Sequence, residues 1–163
     1  IKTELTLGKG VIQNIGTVKN LTFELPFDPA EIPDDEIWYI TTDGKPISLY
    51  NNDFANNGFS DSEFNVNVVS NEYSNGLGKI TFESKVTEIC KHSFALKNTL
   101  KSIYLPSTIN KIGANAFYNS CNLECVNISS TELSIDIEFG FESPFSACSK
   151  LSQFANNSSL FMV

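Results

Sequence analysis

The chain carries an internal self-similarity whose period excludes most ways of folding 163 residues. The pattern Leu77-x-x-Ile80-x-Phe82 returns as Leu100-x-x-Ile103-x-Leu105 and as Leu123-x-x-Val126-x-Ile128, each time 23 residues further on. Under the same shift Val86 falls on Ile109, Ile89 on Ile112 and Phe94 on Phe117. Equivalent side chains must then lie over one another, so the unit stacks on copies of itself rather than closing as a globule. Within each unit the final Ile-x-Leu step turns two apolar side chains to one face, as a short strand does. One such strand cannot bury that face, but layers stacked at about 4.8 Å can. The third interval is longer: Phe117 is followed by Phe145, Leu123 by Leu151 and Val126 by Phe154, an offset of 28. The extra residues are placed within 129–141, Phe139-Gly140 being read as the counterpart of Ile112-Gly113. Leu160 and Val163 then fall on the slots of Ile109 and Ile112, so the repeat is expected to run to the last residue.

Punctuation within the unit agrees with short strands and tight turns. Pro106 ends the strand before it, because proline supplies no ladder donor. Gly113 precedes Ala116-Phe117, expected to form one helical turn, with Phe94 and Phe117 as the largest inward side chains. Outward positions are the candidate contact residues: Ser102 and Tyr104 in one coil, Thr81 and Glu83 in the coil before, Asn127 in the coil after.

Charge divides the chain. Residues 1–75 carry a net charge of −8 and residues 76–163 balance their lysines against their acids. The first part reads as an acidic, β-rich N-terminal cap, since stacked repeats need their ends covered. Within it, residues 36–50 read as a hairpin: Ile37, Trp38, Tyr39, Ile40 and Thr41 are strand formers, Asp43-Gly44 makes the turn, and Ile47 and Leu49 alternate on the way back. A strand over 65–70 turns through Asn75-Gly76 into the first repeat strand. Residues 4–7, 11–15 and 21–25 are further candidate strands, and 26–35 is a proline-rich acidic connector.

The segment Ile112-Gly113-Ala114-Asn115-Ala116-Phe117, preceded by Ile103-Tyr104-Leu105-Pro106-Ser107-Thr108-Ile109, resembles the BspA-type leucine-rich repeat. The resemblance covers residues 77–163 and is best between Leu100 and Asn122. The first coil departs, with Cys90 in place of the glycine and Ser93 in place of the alanine; Cys121 sits one place later than the repeat's cysteine, while Cys148 is in register. Glu36-Ile37-Trp38-Tyr39 with Thr42-Asp43-Gly44-Lys45 resembles the lead-in module of some bacterial proteins of this kind. The expected fold class is α/β and β-rich: a solenoid of about four 23-residue coils with short parallel strands and short helical turns, after an antiparallel β cap. The resemblance implies a non-catalytic adhesion or protein-binding module of a secreted or cell-surface bacterial protein, with a host or matrix protein as ligand.

Composition narrows the partners. With no arginine and a net charge of −8, the chain lacks the planar fork that clamps phosphates and repels a nucleic-acid backbone. Nucleic acid and anionic membranes are therefore excluded as expected partners, and no apolar run is long enough to span a bilayer. The chain opens at Ile1 without a charged-then-apolar leader, so any targeting segment is expected to have been removed or never to have been part of it. The one histidine, His92, lies two residues from Cys90, a pairing that the repeat places in a connecting turn rather than in a reactive dyad. Cys121 and Cys125 have ligand-like spacing but lack a second close pair, so no metal or cofactor is expected. Cys121 and Cys148 read as buried thiols or as a disulfide. Residues 51–67 fail the calcium-loop pattern, because Ala55 and Phe64 would fall on ligand positions. Two further readings stay open: a carbohydrate site stacking sugars on Trp38, Tyr39, Tyr50 or Tyr73, and a scaffold that self-associates end to end through its last coil. Lysines 79, 85, 91, 97, 101 and 111 with the acids at 124, 132, 136, 138 and 142 suggest a surface whose charge changes sign along the stack.

Overall fold

In a computed structural model, residues 2–7, 10–15, 31–49, 64–128, 130, 133–136, 143–156 and 159–161 are described, with side chains over 31–49, 64–128, 130, 133–136 and 143–152. The elements are strands: β1 (Lys2–Leu7), β2 (Gly10–Ile15), β3 (Glu36–Thr41), β4 (Val68–Ser74), β5 (Leu77–Phe82), β6 (Glu88–Ile89), β7 (Leu100–Leu105), β8 (Lys111–Ile112), β9 (Cys125–Ile128), β10 (Ser134–Ile135), β11 (Gln153–Asn156) and β12 (Ser159–Phe161). β1 and β2 pair antiparallel as a sheet of their own. β6, β8 and β10 form a parallel ladder, and the remaining strands form a seven-stranded sheet in the order β12-β11-β9-β7-β3-β5-β4.

The period survives as hydrogen-bonded register. Ile103 pairs with Val126 and Leu105 with Ile128, and Glu88 and Ile89 pair with Lys111 and Ile112, all 23 residues apart. Val126 pairs with Phe154 at the longer offset of 28. The connecting turns stack as well: the Phe94 N–H donates to the Ala116 carbonyl at 2.7 Å and the Phe117 N–H to the Pro144 carbonyl at 2.8 Å. Behind them the Phe94 and Phe117 rings stack at 5.4 Å and 8°, and Phe117 and Phe145 at 5.3 Å and 14°. Phe64 closes the free end of this column edge-on, 5.6 Å from Phe94 and 5.1 Å from Phe82.

Four expectations are corrected. The hairpin at 36–50 does not form, because residues 46–48 make no strand; β3 is instead inserted between β5 and β7, antiparallel to both. The insertion aligns Gly78 with Ile103 across Tyr39, two residues off the repeat register. A shift of two preserves the faces, so Ile80, Phe82, Ile103 and Leu105 all stay buried. Second, the helical turns are successive reverse turns, and no α-helix forms among the described residues. His92 and Leu96 in one coil, and Asn115 and Asn119 in the next, have left-handed backbone with φ between 53° and 61°, which ends any right-handed helix at each of them. Third, Ile135 rather than Phe139 pairs with Ile112, so the extra residues of the long interval follow Asp136; Phe139-Gly140 lies outside the described residues. Fourth, Leu160 does not continue a coil. It pairs with Ala155 in β12, which folds back antiparallel on β11 as an edge of the large sheet. The strand expected at 65–70 runs from Val68 to Ser74 and turns through Asn75 and Gly76, both at positive φ as a two-residue hairpin of this hand requires.

In the coil that begins at Leu100 the Leu-x-x-Ile spacing has a local cause. Thr41 pairs with Leu100 and Ile40 with Ser102, so Lys101 is bulged out. The bulge returns Leu100 to the inner face beside Ile103, and both are fully buried while Lys101 is exposed. Of the other repeat-core positions, Phe94, Ile112, Gly113, Phe117, Leu123, Val126 and Ile128 are buried, Leu77, Phe145 and Leu151 partly so, and the side chain of Phe154 lies outside the described set.

The slot three residues after each column phenylalanine joins neighbouring coils. Ser120 Oγ donates to the Phe94 carbonyl at 2.7 Å and accepts from the Lys97 N–H at 3.1 Å, while Cys148 Sγ donates to the Phe117 carbonyl at 3.0 Å. Serine thus occupies the cysteine slot in the middle coil, and Cys121 is the residue beside it. Ser120→Ala leaves two buried backbone groups without this partner and should cost about 1–3 kcal/mol, with Ser120→Cys restoring most of it. Urea unfolding of the three proteins checks the order; equal midpoints for alanine and cysteine would remove the slot's role.

Candidate binding surface

The sheet face opposite the core was expected to carry the contacts, and most of it is closed. Ser102 and Asn127 are 8% exposed and Tyr104 is 2% exposed, so these three candidates are not accessible contact residues. Trp38, Tyr104 and Asn127 lie in one row across β3, β7 and β9, each flanked on both sides by a neighbouring strand. A central strand leaves less of its side chains in solvent than the free strand face assumed from sequence. Burial pushes the Tyr104 hydroxyl up to about 12, with Cys125 adding to it, and the Cys125 thiol up to about 11. Burial also raises Cys148 to about 11, so both thiols stay protonated at neutral pH and lack nucleophilic character. None of the four cysteines is in a disulfide, and no three of His, Cys, Asp and Glu converge among the described residues. Thr81 is half-buried and Glu83 exposed.

The aromatic platforms fare similarly. Tyr39 is fully buried: its hydroxyl donates to Asn71 Oδ1 at 2.6 Å and accepts from the Ile47 N–H at 3.3 Å. Its ring lies on Gly78, where an added Cβ would come within 2.2 Å of it, so glycine is required there by close approach. Trp38 is half-buried; Lys79 Nζ covers one face of its ring at 4.1 Å and Glu36 accepts from its indole N–H. Tyr73 is half-buried against Tyr39, and Tyr50 lies outside the described residues, as does most of the tested calcium loop.

Several of the charges expected to form a gradient pair with each other along the stack. Lys111 reaches Asp136 at 2.9 Å and Glu88 at 3.0 Å, and hydrogen bonds to these two carboxylates push its ammonium above its ordinary value. Lys101 meets Glu124 and Lys79 meets Glu36, each at 3.9 Å. Lys97 is buried, and Glu132, Glu138 and Glu142 lie outside the described residues. Coils one period apart set opposite charges side by side, which neutralises both.

What remains open lies at the other edge. A groove of about 1080 Å³ runs between residues 46–49 and residues 64–71, walled by Ile47, Leu49, Phe64, Val66, Val68 and Val69, with Glu83 at its rim. Val68 and Val69 are 39% and 63% exposed, against the fully buried repeat core. The sequence pattern assigns these two valines to a strand and gives neither a binding role. The signal was present in the Val68-Val69 doublet, which breaks the period-two alternation where the pairing with β5 shifts by one residue.

A family model described as BspA type leucine rich repeat region matches residues 70–162, in six copies, which is more than half of the chain. No curated protein and no solved structure matches the chain.

Proposed function

Because the chain belongs to the BspA-type leucine-rich-repeat family, we propose that it is a non-catalytic protein-binding module of a secreted or cell-surface bacterial protein, its coils wound as a solenoid of about four turns behind an N-terminal cap. The observation that carries this reading is the column of Phe94, Phe117 and Phe145 between backbone ladders. Rings stacked at this spacing and coils tied by main-chain hydrogen bonds give a scaffold that loses little freedom on binding. That rigidity suits recognition of a preformed protein surface. The closed aromatic positions at Trp38 and Tyr39 favour protein over glycan as the ligand. The test is binding of the purified chain to immobilised matrix proteins and mucosal glycoproteins, each intact and deglycosylated. Saturable binding that persists after deglycosylation is the expected result. Binding that disappears with the glycans, or none across the panel, would overturn the proposal.

A further inference from the structure

We infer that the groove beside β4 holds an extended, lysine-bearing apolar segment of a protein partner, added to the open edge of β4 as a further strand. The inference rests on the protein-binding reading and names the place and the kind of partner. Among the described residues β4 is the last strand of the large sheet and pairs with β5, so alternate N–H and C=O groups along it face away from that partner. Sheet edges are usually blunted by charged residues, proline or bulges; Val68–Ser74 has no lysine or proline, and its one acid, Glu72, and its one bulge leave the stretch Ser70–Ser74 regularly paired. Its one irregularity, at Val69, confines flat pairing to the residues after it, which suits a short segment better than a second copy's long edge.

The groove is held in shape before anything enters it. Asn71 links its walls, accepting from the Tyr39 hydroxyl and donating to the Ile47 carbonyl at 2.7 Å. Phe64 is fixed edge-on against Phe82 and Phe94. Apolar side chains from two walls face a strand's alternate side chains, so a segment with valine or isoleucine at every second position would fit. Among the described residues Glu83 is the charged one lining the groove, Glu72 is exposed on β4, and residues 1–75 as a whole carry a net −8. Lysine at the segment's polar positions complements this charge, and glutamate opposes it.

The probe is a short, fluorescently labelled peptide of alternating valine and threonine flanked by lysines, titrated into the full chain. Anisotropy gives the affinity and ¹⁵N chemical shifts give the location. The expected result is saturable binding with shifts concentrated in residues 66–74. Affinity should fall by about 10-fold or more when the flanking lysines become glutamates or in Glu83→Lys, which removes one attraction and adds one repulsion. A central proline in the peptide, which removes a ladder donor, should abolish binding. Equal binding of the proline peptide, or shifts elsewhere in the protein, would overturn the inference. So would a concentration-dependent dimer abolished by Val69→Lys, which would assign the edge to a second copy. Loss of peptide binding with matrix-protein binding intact sinks the groove alone, whereas loss of protein binding across the panel sinks the module reading first.

Discussion

Replacing Phe117 with alanine is expected to lower the free energy of unfolding by about 3–5 kcal/mol, the largest effect of any single truncation in the repeat. Phe117 is fully buried and is the middle ring of the column, stacked on Phe94 on one side and on Phe145 on the other. Its removal forfeits the transfer energy of the ring, two aromatic contacts of about 0.5–1.5 kcal/mol each, and the packing around the hole that is left. The hole cannot collapse easily, because the turns on both sides are joined by backbone hydrogen bonds at 2.7 and 2.8 Å. For a domain of this size the midpoint of thermal unfolding should drop by roughly 10 °C. Ile135→Ala is the comparison: it lies at the end of the short ladder, 45% exposed, and should cost under about 1 kcal/mol. Calorimetry of both variants would decide. If they unfolded at similar temperatures, the column would not be the structural spine of the repeat.

Gly113→Ala is expected to cost about 2–4 kcal/mol, although it adds one methyl group. A Cβ at Gly113 would meet the Lys91 backbone nitrogen at 2.7 Å and the Cys90 carbonyl carbon at 3.1 Å. Both are main-chain atoms of the preceding coil, so no side chain can swing aside. Relief requires separating the coils, which stretches the 2.8 Å bond from the Gly113 N–H to the Ile89 carbonyl. Cys90 occupies the same slot one period earlier and carries a side chain there. It follows β6, which among the described residues is the edge strand of its ladder, with no further repeat strand paired beyond it. Cys90→Ala should therefore change stability by less than about 1 kcal/mol. Chemical denaturation of the pair measures the contrast directly, and a Gly113→Ala protein as stable as the parent would mean the coils are not in contact there.

These two residues illustrate what could be read before any coordinates. The offset of 23 assigned Phe94 and Phe117, and Ile89 and Ile112, to common slots, because stacking on a lattice of fixed spacing forces equivalent side chains into equivalent places. It also marked Cys90 as a departure from the pattern, but the reason lies in its position at the ladder's edge. The hairpin signal in Asp43-Gly44 misled because β3 found better partners in β5 and β7 than in the residues beyond its own turn. Three of the candidate contacts, Ser102, Tyr104 and Asn127, are buried for a related reason. Alternation tells which face Ser102, Tyr104 and Asn127 take, and says nothing of how much solvent reaches that face.

The repeat, its period and its inward residues were determined by the sequence alone, since a periodic apolar pattern has one economical way to be buried. The tertiary structure alone decided that β3 enters the ladder, which charges neutralise one another, and that the open groove lies beside β4. Each of those depends on pairings between segments far apart in the chain, where free energy is set by what competes for the same edge and not by any local propensity.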